Sequence, residues 1–148
     1  MYPSTSSLIV LALAAGPLVA QVPGGQWDLT FQVDGVEVYG KTGRSVAAVG
    51  DLDADGVTDW AVGTPLRGFV GTNGGYVEIQ SGATGATIRV LTGPGFGDEF
   101  GWEILGGHDL DADGVPDLIV SAPEAETIGA FSGATGAVLW SSQFVNWS

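Results

Sequence analysis

The sequence has no cysteine, one histidine and only 4 lysine and arginine residues among its 148 positions. The absence of cysteine excludes disulfides, zinc–thiolate sites, iron–sulfur clusters and a thiol nucleophile, and a lone histidine excludes a multi-histidine metal centre. Against the 4 basic residues stand 17 aspartates and glutamates, for a formal net charge of -13. Duplex nucleic acid and anionic lipid are bound by clustered basic side chains, so the composition argues against both partners.

Long apolar runs are equally scarce, and the one present lies near the N-terminus. Residues 8–20 are almost wholly apolar, a run about as long as the core of a signal peptide and too short to span a bilayer core of ~30 Å. We therefore predict a signal peptide over residues 1–20, with the exact cleavage site left open. The mature chain would then be secreted or held at the cell surface, with no membrane span.

Glycine is abundant, with 25 residues against 7 prolines, and no segment shows a sustained helical period. Short apolar runs separated by glycine-containing turns are typical of strands, so we predict an all-β fold. The first such feature is Asp34-Gly35, which lies between the apolar runs 30–33 and 36–39. Asp-Gly favours a two-residue hairpin turn, and we assign residues 21–42 to an N-terminal β-hairpin segment.

The rest of the chain is an internal repeat. Residues 43–65 recur at 101–123, a shift of 58 positions, and the word Ser-Gly-Ala-Thr-Gly-Ala at 81–86 recurs at 132–137, a shift of 51. The difference of seven residues indicates a loop insertion in the first repeat, between positions 65 and 76. A period of this size is the signature of repeat architectures.

Each repeat divides into four short apolar runs separated by turn signals. The runs are 45–49, 60–63, 76–80 and 86–91 in the first repeat, and 103–105, 118–121, 127–131 and 137–141 in the second. This pattern predicts β-propeller-type blades of four antiparallel strands, one over residues 43–94 and one over residues 95–148. A propeller closes with about four to eight blades. Three outcomes stay open: self-assembly of several chains into a closed ring, pairing with another propeller piece, or a fragment of a longer protein.

Each repeat also contains the nonapeptide Asp-Leu-Asp-Ala-Asp-Gly-Val-x-Asp, at residues 51–59 and 109–117. Carboxylates about 5 Å apart repel by about 3 kcal/mol per pair at an effective dielectric near 20, so they converge only around a cation. Oxygen ligands at alternate positions, with Gly56 or Gly114 at position six for a sharp turn, favour calcium. We predict two calcium sites, with the carbonyl oxygens of Val57 and Val115 as additional ligands. The predicted ligand sets are Asp51, Asp53, Asp55, Val57 and Asp59 in the first loop, and Asp109, Asp111, Asp113, Val115 and Asp117 in the second.

The segment from Gly43 to Pro65, together with Phe100-Gly101 and Ser121-Ala122-Pro123 in the second copy, resembles the FG-GAP repeat of integrin α-subunit β-propellers. The resemblance covers about residues 39–140 and implies blades with calcium bound between the first and second strands. It also implies that ligands meet the opposite face, where the loops 66–75 and 124–126 would lie. The first copy departs from the family pattern, because Thr42 stands where the second copy has Phe100.

The remaining candidate residues are weaker. Arg67 and Phe69 lie in the long insertion and are the best candidates for contact with a protein ligand, since large amphipathic side chains on loops are typical anchors. His108 beside Asp109 lacks a nucleophile elbow, and Asp98 with Glu99 is interpreted as a solvated turn. The five tryptophans are interpreted as core or inter-blade packing, with a sugar-binding face as the alternative.

These observations favour a secreted, calcium-binding, non-catalytic propeller module for extracellular protein binding or adhesion. The alternative function is a carbohydrate-binding or accessory propeller fragment of a larger secreted hydrolase. In either case the partner is an extracellular protein or glycan whose identity the sequence does not specify.

Overall fold

The computed structural model describes residues 7–8, 33–34, 40–65, 74–95 and 97–143. Within these ranges the chain forms ten β-strands and one short 3-10 helix, Pro123–Ala125. No helix in these ranges is long and apolar enough to cross a membrane. The strands are β1 (Ser7–Leu8), β2 (Val33–Asp34), β3 (Val46–Gly50), β4 (Asp59–Thr64), β5 (Tyr76–Gln80), β6 (Thr87–Thr92), β7 (Ile104–His108), β8 (Asp117–Ala122), β9 (Thr127–Phe131) and β10 (Val138–Gln143).

Two four-stranded antiparallel sheets dominate the fold. Strands β3, β4, β5 and β6 pair in sequence order to form blade 1, and β7, β8, β9 and β10 pair in the same way to form blade 2. The all-β class and the two propeller-type blades predicted from the sequence are thus confirmed. Each predicted run coincides with an observed strand, with shifts of at most three residues at the ends.

Both blades carry the same irregularity at the end of their first strand. The pairing register shifts between Ala48 and Gly50 in blade 1, and between Gly106 and His108 in blade 2. A bulge at this point bends the strand as it enters the aspartate-containing loop. The loop therefore leaves both sheets in the same direction.

The hydrophobic core lies between the two blades. Blade 1 contributes Ala61, Val77 and Ile79, and blade 2 contributes Leu118 and Val120, all of them buried in one cluster. The backbones approach closely at one point, where the Ser45 hydroxyl donates to the Gly101 carbonyl at 2.8 Å. A Cβ on Gly63 would lie 2.1 Å from that same oxygen, so only glycine fits there.

Positively charged side chains lie at both ends of the interface between the blades. Lys41 and Arg44 lie over the ring of Trp102, 4.8 and 4.2 Å from its centroid, a geometry favourable for cation–π attraction. At the other end Arg89 of blade 1 donates to the Gly133 and Ala134 carbonyls of blade 2, at 2.6 and 2.8 Å. Three of the chain's four basic residues therefore join the two blades.

The turn before blade 2 differs from expectation. Glu99 is not solvated: its side chain is only 2% exposed, lies 4.0 Å from the Lys41 ammonium group, and its residue has a positive φ of 57°. The turn is fixed by backbone pairing, because the Phe100 amide donates to the Gly74 carbonyl at 2.7 Å. Asp98 and Glu99 thus belong to the packed junction between the blades.

The N-terminal predictions fall mostly on residues that the structure does not describe. Of the predicted signal peptide only Ser7–Leu8 is described, and it pairs with Val33–Asp34. The predicted pairing of residues 30–33 with 36–39 across Asp34-Gly35 lies largely outside the described residues. The Val33 side chain packs on Trp60 and Val62, so this part of the N-terminal segment covers the side of blade 1 that faces away from blade 2.

Candidate metal centres

The two aspartate-rich loops connect the first and second strands of their blades. In the first loop, one carboxylate oxygen from each of Asp51, Asp53 and Asp59 lies within 4.8 Å of the others. Asp59 is the first residue of β4, so a strand fixes one side of the cluster while the loop supplies the other two side chains.

The second loop repeats this arrangement. Carboxylate oxygens of Asp109, Asp111 and Asp117 lie within 4.8 Å of one another, and Asp117 begins β8. In both loops three of the four predicted aspartate ligands converge. Asp55 and Asp113 are not part of these clusters, and each accepts a hydrogen bond from the amide two residues on, at 2.8 Å.

Backbone amides hold both loops in a tight curl. In the first loop the Asp51 carboxylate accepts hydrogen bonds from the amides of Asp55 and Gly56, at 3.1 and 2.9 Å. In the second loop Asp109 accepts from the Gly114 amide at 2.9 Å. Gly56 and Gly114 have φ values of 86° and 89°, a backbone conformation that favours glycine. This is the sharp turn expected at position six.

The last aspartate of each loop is buried and has a second structural partner. Asp59 is 0% exposed, and its two oxygens accept hydrogen bonds from the amides of Leu52 and Gly82, at 2.7 and 2.9 Å. Asp117 does the same with the amides of Leu110 and Gly133, at 2.6 and 2.9 Å. Each of these carboxylates therefore ties its loop to the turn between the third and fourth strands of the same blade.

That turn is the repeated word Ser-Gly-Ala-Thr-Gly, which the sequence indicated only as a hairpin loop. The Ser81 amide pairs with the Ala86 carbonyl at 2.9 Å, which closes the turn between β5 and β6. A Cβ on Gly82 would lie 2.0 Å from the Thr58 carbonyl oxygen. The first glycine of the word is thus required by the aspartate-rich loop that packs against it.

The electrostatics of the clusters are unfavourable without a counter-charge. Burial raises the pKa of the Asp59 carboxyl, although the amides of Gly82 and Leu52 oppose this, and the charges of Asp53 and Asp55 raise it further. Loss of hydration also raises the pKa of Asp111, with the neighbouring carboxylates adding to the shift. A cation among these oxygens would offset the repulsion between the carboxylates and so oppose both pKa shifts.

The spacing of the oxygens fits a single hard cation. Calcium binds oxygen ligands at about 2.3–2.6 Å, so two ligands of one ion lie at most about 5 Å apart. The 4.8 Å limit within each cluster satisfies this condition. Carboxylates without nitrogen or sulfur donors are the ligands that calcium and magnesium prefer.

The other candidate residues are spread over the molecule. Arg67 and Phe69 lie outside the described residues, as do Trp27 and Trp147. Trp60 is buried against Val33, whereas the Trp140 side chain is 44% exposed on β10. A groove of about 200 Å³ between the end of β6 and strands β8–β10 is apolar and has no charged side chain in its lining.

Comparison with known proteins identifies the repeat family of this chain. The family model for the FG-GAP repeat matches residues 100–139. Integrin alpha-5 of Xenopus laevis is 41% identical over 110 residues, which cover 67% of this chain and 10% of the relative. Integrin alpha-IIb of Homo sapiens and integrin alpha-V of Gallus gallus are each 36% identical, over 100 and 104 residues, which cover 66% and 65% of this chain and 10% of each relative.

The chain therefore spans about a tenth of the length of these relatives. Each of these alignments is longer than a single blade. The chain is an FG-GAP repeat protein that is similar, over the segment it shares with them, to the integrin α subunits.

Proposed function

We propose that this chain is an extracellular, non-catalytic propeller module that binds two calcium ions and presents its loops to a protein ligand. The observation that carries the proposal is the convergence of three carboxylates in each of two equivalent loops. Similarity to integrin α subunits supports an extracellular location. A signal peptide over residues 1–20 would account for export.

Each ion would be held by the aspartates of one loop. The proposed ligands are Asp51, Asp53, Asp55 and Asp59 with the Val57 carbonyl, and Asp109, Asp111, Asp113 and Asp117 with the Val115 carbonyl. Bound calcium supplies the positive charge that offsets carboxylate repulsion and orders the loop. Its role is structural, because the buried carboxylates of Asp59 and Asp117 also hold the neighbouring turns.

The expected stabilisation is modest. With millimolar calcium and a dissociation constant near 0.1 mM, each site adds about 1.4 kcal/mol to the free energy of unfolding. We expect the melting temperature to be higher in calcium than in chelator. The double variant Asp53→Ala with Asp111→Ala should have the same melting temperature in calcium as in chelator. A wild-type melt that does not respond to calcium would contradict the metal assignment.

Protein binding would involve the loops on the face opposite the calcium sites. Arg67 and Phe69 in the long insertion are the proposed anchors. Replacing both with alanine should abolish capture of the protein ligand without changing the calcium-dependent melt. The exposed Trp140 favours a second candidate, carbohydrate binding. A glycan-array signal that survives the Arg67 and Phe69 replacements but is lost in Trp140→Ala would establish that alternative.

A further inference from the structure

The two aspartate-rich loops contact each other between the blades, although their sequences lie 58 positions apart. Gly50 directly precedes the first loop, and Pro116 directly precedes Asp117, the last aspartate of the second loop. The Pro116 ring lies on the Gly50 backbone, so closely that a Cβ on Gly50 would be 2.5 Å from the Pro116 Cγ atom. This first contact joins the start of one loop to the end of the other.

Leu52 of the first loop makes a second contact with blade 2. Its side chain packs against the core cluster, and a Cβ on Gly133 would lie 2.9 Å from the Leu52 Cδ2 atom. The Leu52 amide donates to the Asp59 carboxylate at 2.7 Å, and the Gly133 amide donates to the Asp117 carboxylate at 2.9 Å. The contact therefore lies between two residues that are each hydrogen-bonded to the buried aspartate of one loop.

The corresponding positions of the second loop are exposed. Leu110, the counterpart of Leu52, is 44% exposed, and His108, the counterpart of Gly50, is exposed as well. The two loops share their sequence motif, yet among the described residues the leucine packs against the other blade only in the first loop. Contact between the loops is thus a property of the pair of blades and not of the motif.

We propose that the two calcium sites are positively coupled, so that an ion in one loop raises the calcium affinity of the other loop. The inference rests on the proposed function, because it requires both loops to bind calcium. An ion in the second loop would bind the Val115 carbonyl and the Asp117 carboxylate, and Pro116 lies between these two residues. It would therefore fix Pro116 against Gly50 and order the segment that leads into the first loop. Binding to a segment that is already ordered carries a smaller loss of conformational entropy, so the second ion binds more tightly.

Repulsion between the two ions does not cancel this coupling. Each loop contains four aspartates, whose negative charges outnumber the two positive charges of a calcium ion, so an occupied loop stays negative. An ion in one loop is therefore not repelled by the other loop when that loop is occupied. At about 0.15 M salt, interactions between exposed charges fall off over roughly 8 Å, which further weakens any charge effect between the loops.

Titration calorimetry with calcium at about 0.15 M salt tests the coupling. In the wild-type chain, calcium should bind with positive cooperativity. Asp111→Ala removes the second site, and in this variant we expect the first loop to bind calcium about 5-fold more weakly, or weaker still, than it does in the wild type when the second loop is occupied. Because coupling between sites is reciprocal, Asp53→Ala should weaken the second loop by the same factor.

Two variants remove the contacts between the loops. Leu52→Ala should reduce the coupling factor toward one, and so should Pro116→Ala, which leaves Leu52 in place. Leu110→Ala is the matched control, because it is the same replacement as Leu52→Ala at the equivalent, exposed position of the second loop. It should leave the coupling factor unchanged. Binding of two calcium ions and a cooperative melt in chelator show that each variant is folded.

Sites that fill independently, with the same affinity of the first loop in the wild type and in Asp111→Ala, would overturn the coupling and leave calcium binding intact. Equal coupling factors in Leu52→Ala, Pro116→Ala and Leu110→Ala would show that the two contacts do not transmit the coupling, and would overturn the proposal. Absence of calcium binding to the wild-type chain would overturn the proposed function as well.

Discussion

At the scale of single residues, the last aspartate of each loop has two roles. Asp59 lies beside the proposed calcium ion. It also accepts hydrogen bonds from the backbone amides of Leu52 and Gly82. No other described side chain accepts a hydrogen bond from these two amides. Asp53, in contrast, is exposed, and among the described residues it accepts only from the Asp55 amide, at 3.2 Å. The two aspartates should therefore respond differently to substitution when calcium is absent.

We predict that Asp59→Ala lowers the free energy of unfolding by about 2 kcal/mol or more even in chelator, because two amides lose their acceptor. Asp53→Ala should leave the unfolding curve in chelator nearly unchanged and should remove only part of the calcium response. Urea unfolding of both variants, in calcium and in chelator, measures the difference. If the two variants lost the same free energy of unfolding in chelator, Asp59 would have no structural role beyond that of a metal ligand.

The sequence was sufficient to predict the aspartate-rich loops and their turn glycines, since these follow from local spacing. It did not indicate the amide partners of Asp59, because Gly82 lies 23 positions further along the chain. Nor did it indicate that Ala54 and Ala112 adopt a positive φ, of 62° and 64°. Both findings depend on how the loop folds back on its own blade, which residue type alone does not specify.

At the scale of strands and turns, the repeat predicted every strand of both blades. Strand periodicity and turn residues are local signals, so four strands per repeat could be assigned without knowing their partners. The contacts between blades could not be assigned in this way. Arg89 bonds to carbonyls more than 40 positions away, and the buried Glu99 lies at the same interface. These residues carry no sequence motif that marks them.

We predict that Arg89→Leu lowers the free energy of unfolding by about 1–3 kcal/mol, because two charge-assisted hydrogen bonds between the blades are lost. Glu103→Gln is the control, since Glu103 forms an exposed ion pair with Arg44, at 3.6 Å. Exposed pairs contribute about 0–1 kcal/mol, so its effect should be small. Denaturant unfolding of both variants makes the comparison. A larger loss for Glu103→Gln would show that Arg89 does not hold the blades together.

At the scale of the whole molecule, the acidic charge is concentrated in the two aspartate-rich loops and the basic charge lies between the blades. The chain has a formal net charge of -13, and eight of its acidic residues lie in the two loops. Three of the four basic residues join the blades, so they do not neutralise the loops. An external cation would supply the positive charge that these three side chains do not. In blade 2 the Asp117 carboxylate accepts from the Gly133 amide, in the turn whose carbonyls accept from Arg89 of blade 1.

Isothermal titration of the chain with calcium tests the central claim most directly. We predict a stoichiometry of about two ions per chain, about one in either Asp53→Ala or Asp111→Ala, and no binding in the double variant. Zinc should not compete at equal concentration, because the clusters contain no nitrogen or sulfur ligand. Absence of calcium binding to the wild-type chain, or a stoichiometry that the aspartate replacements do not change, would contradict the assignment of these loops as metal sites.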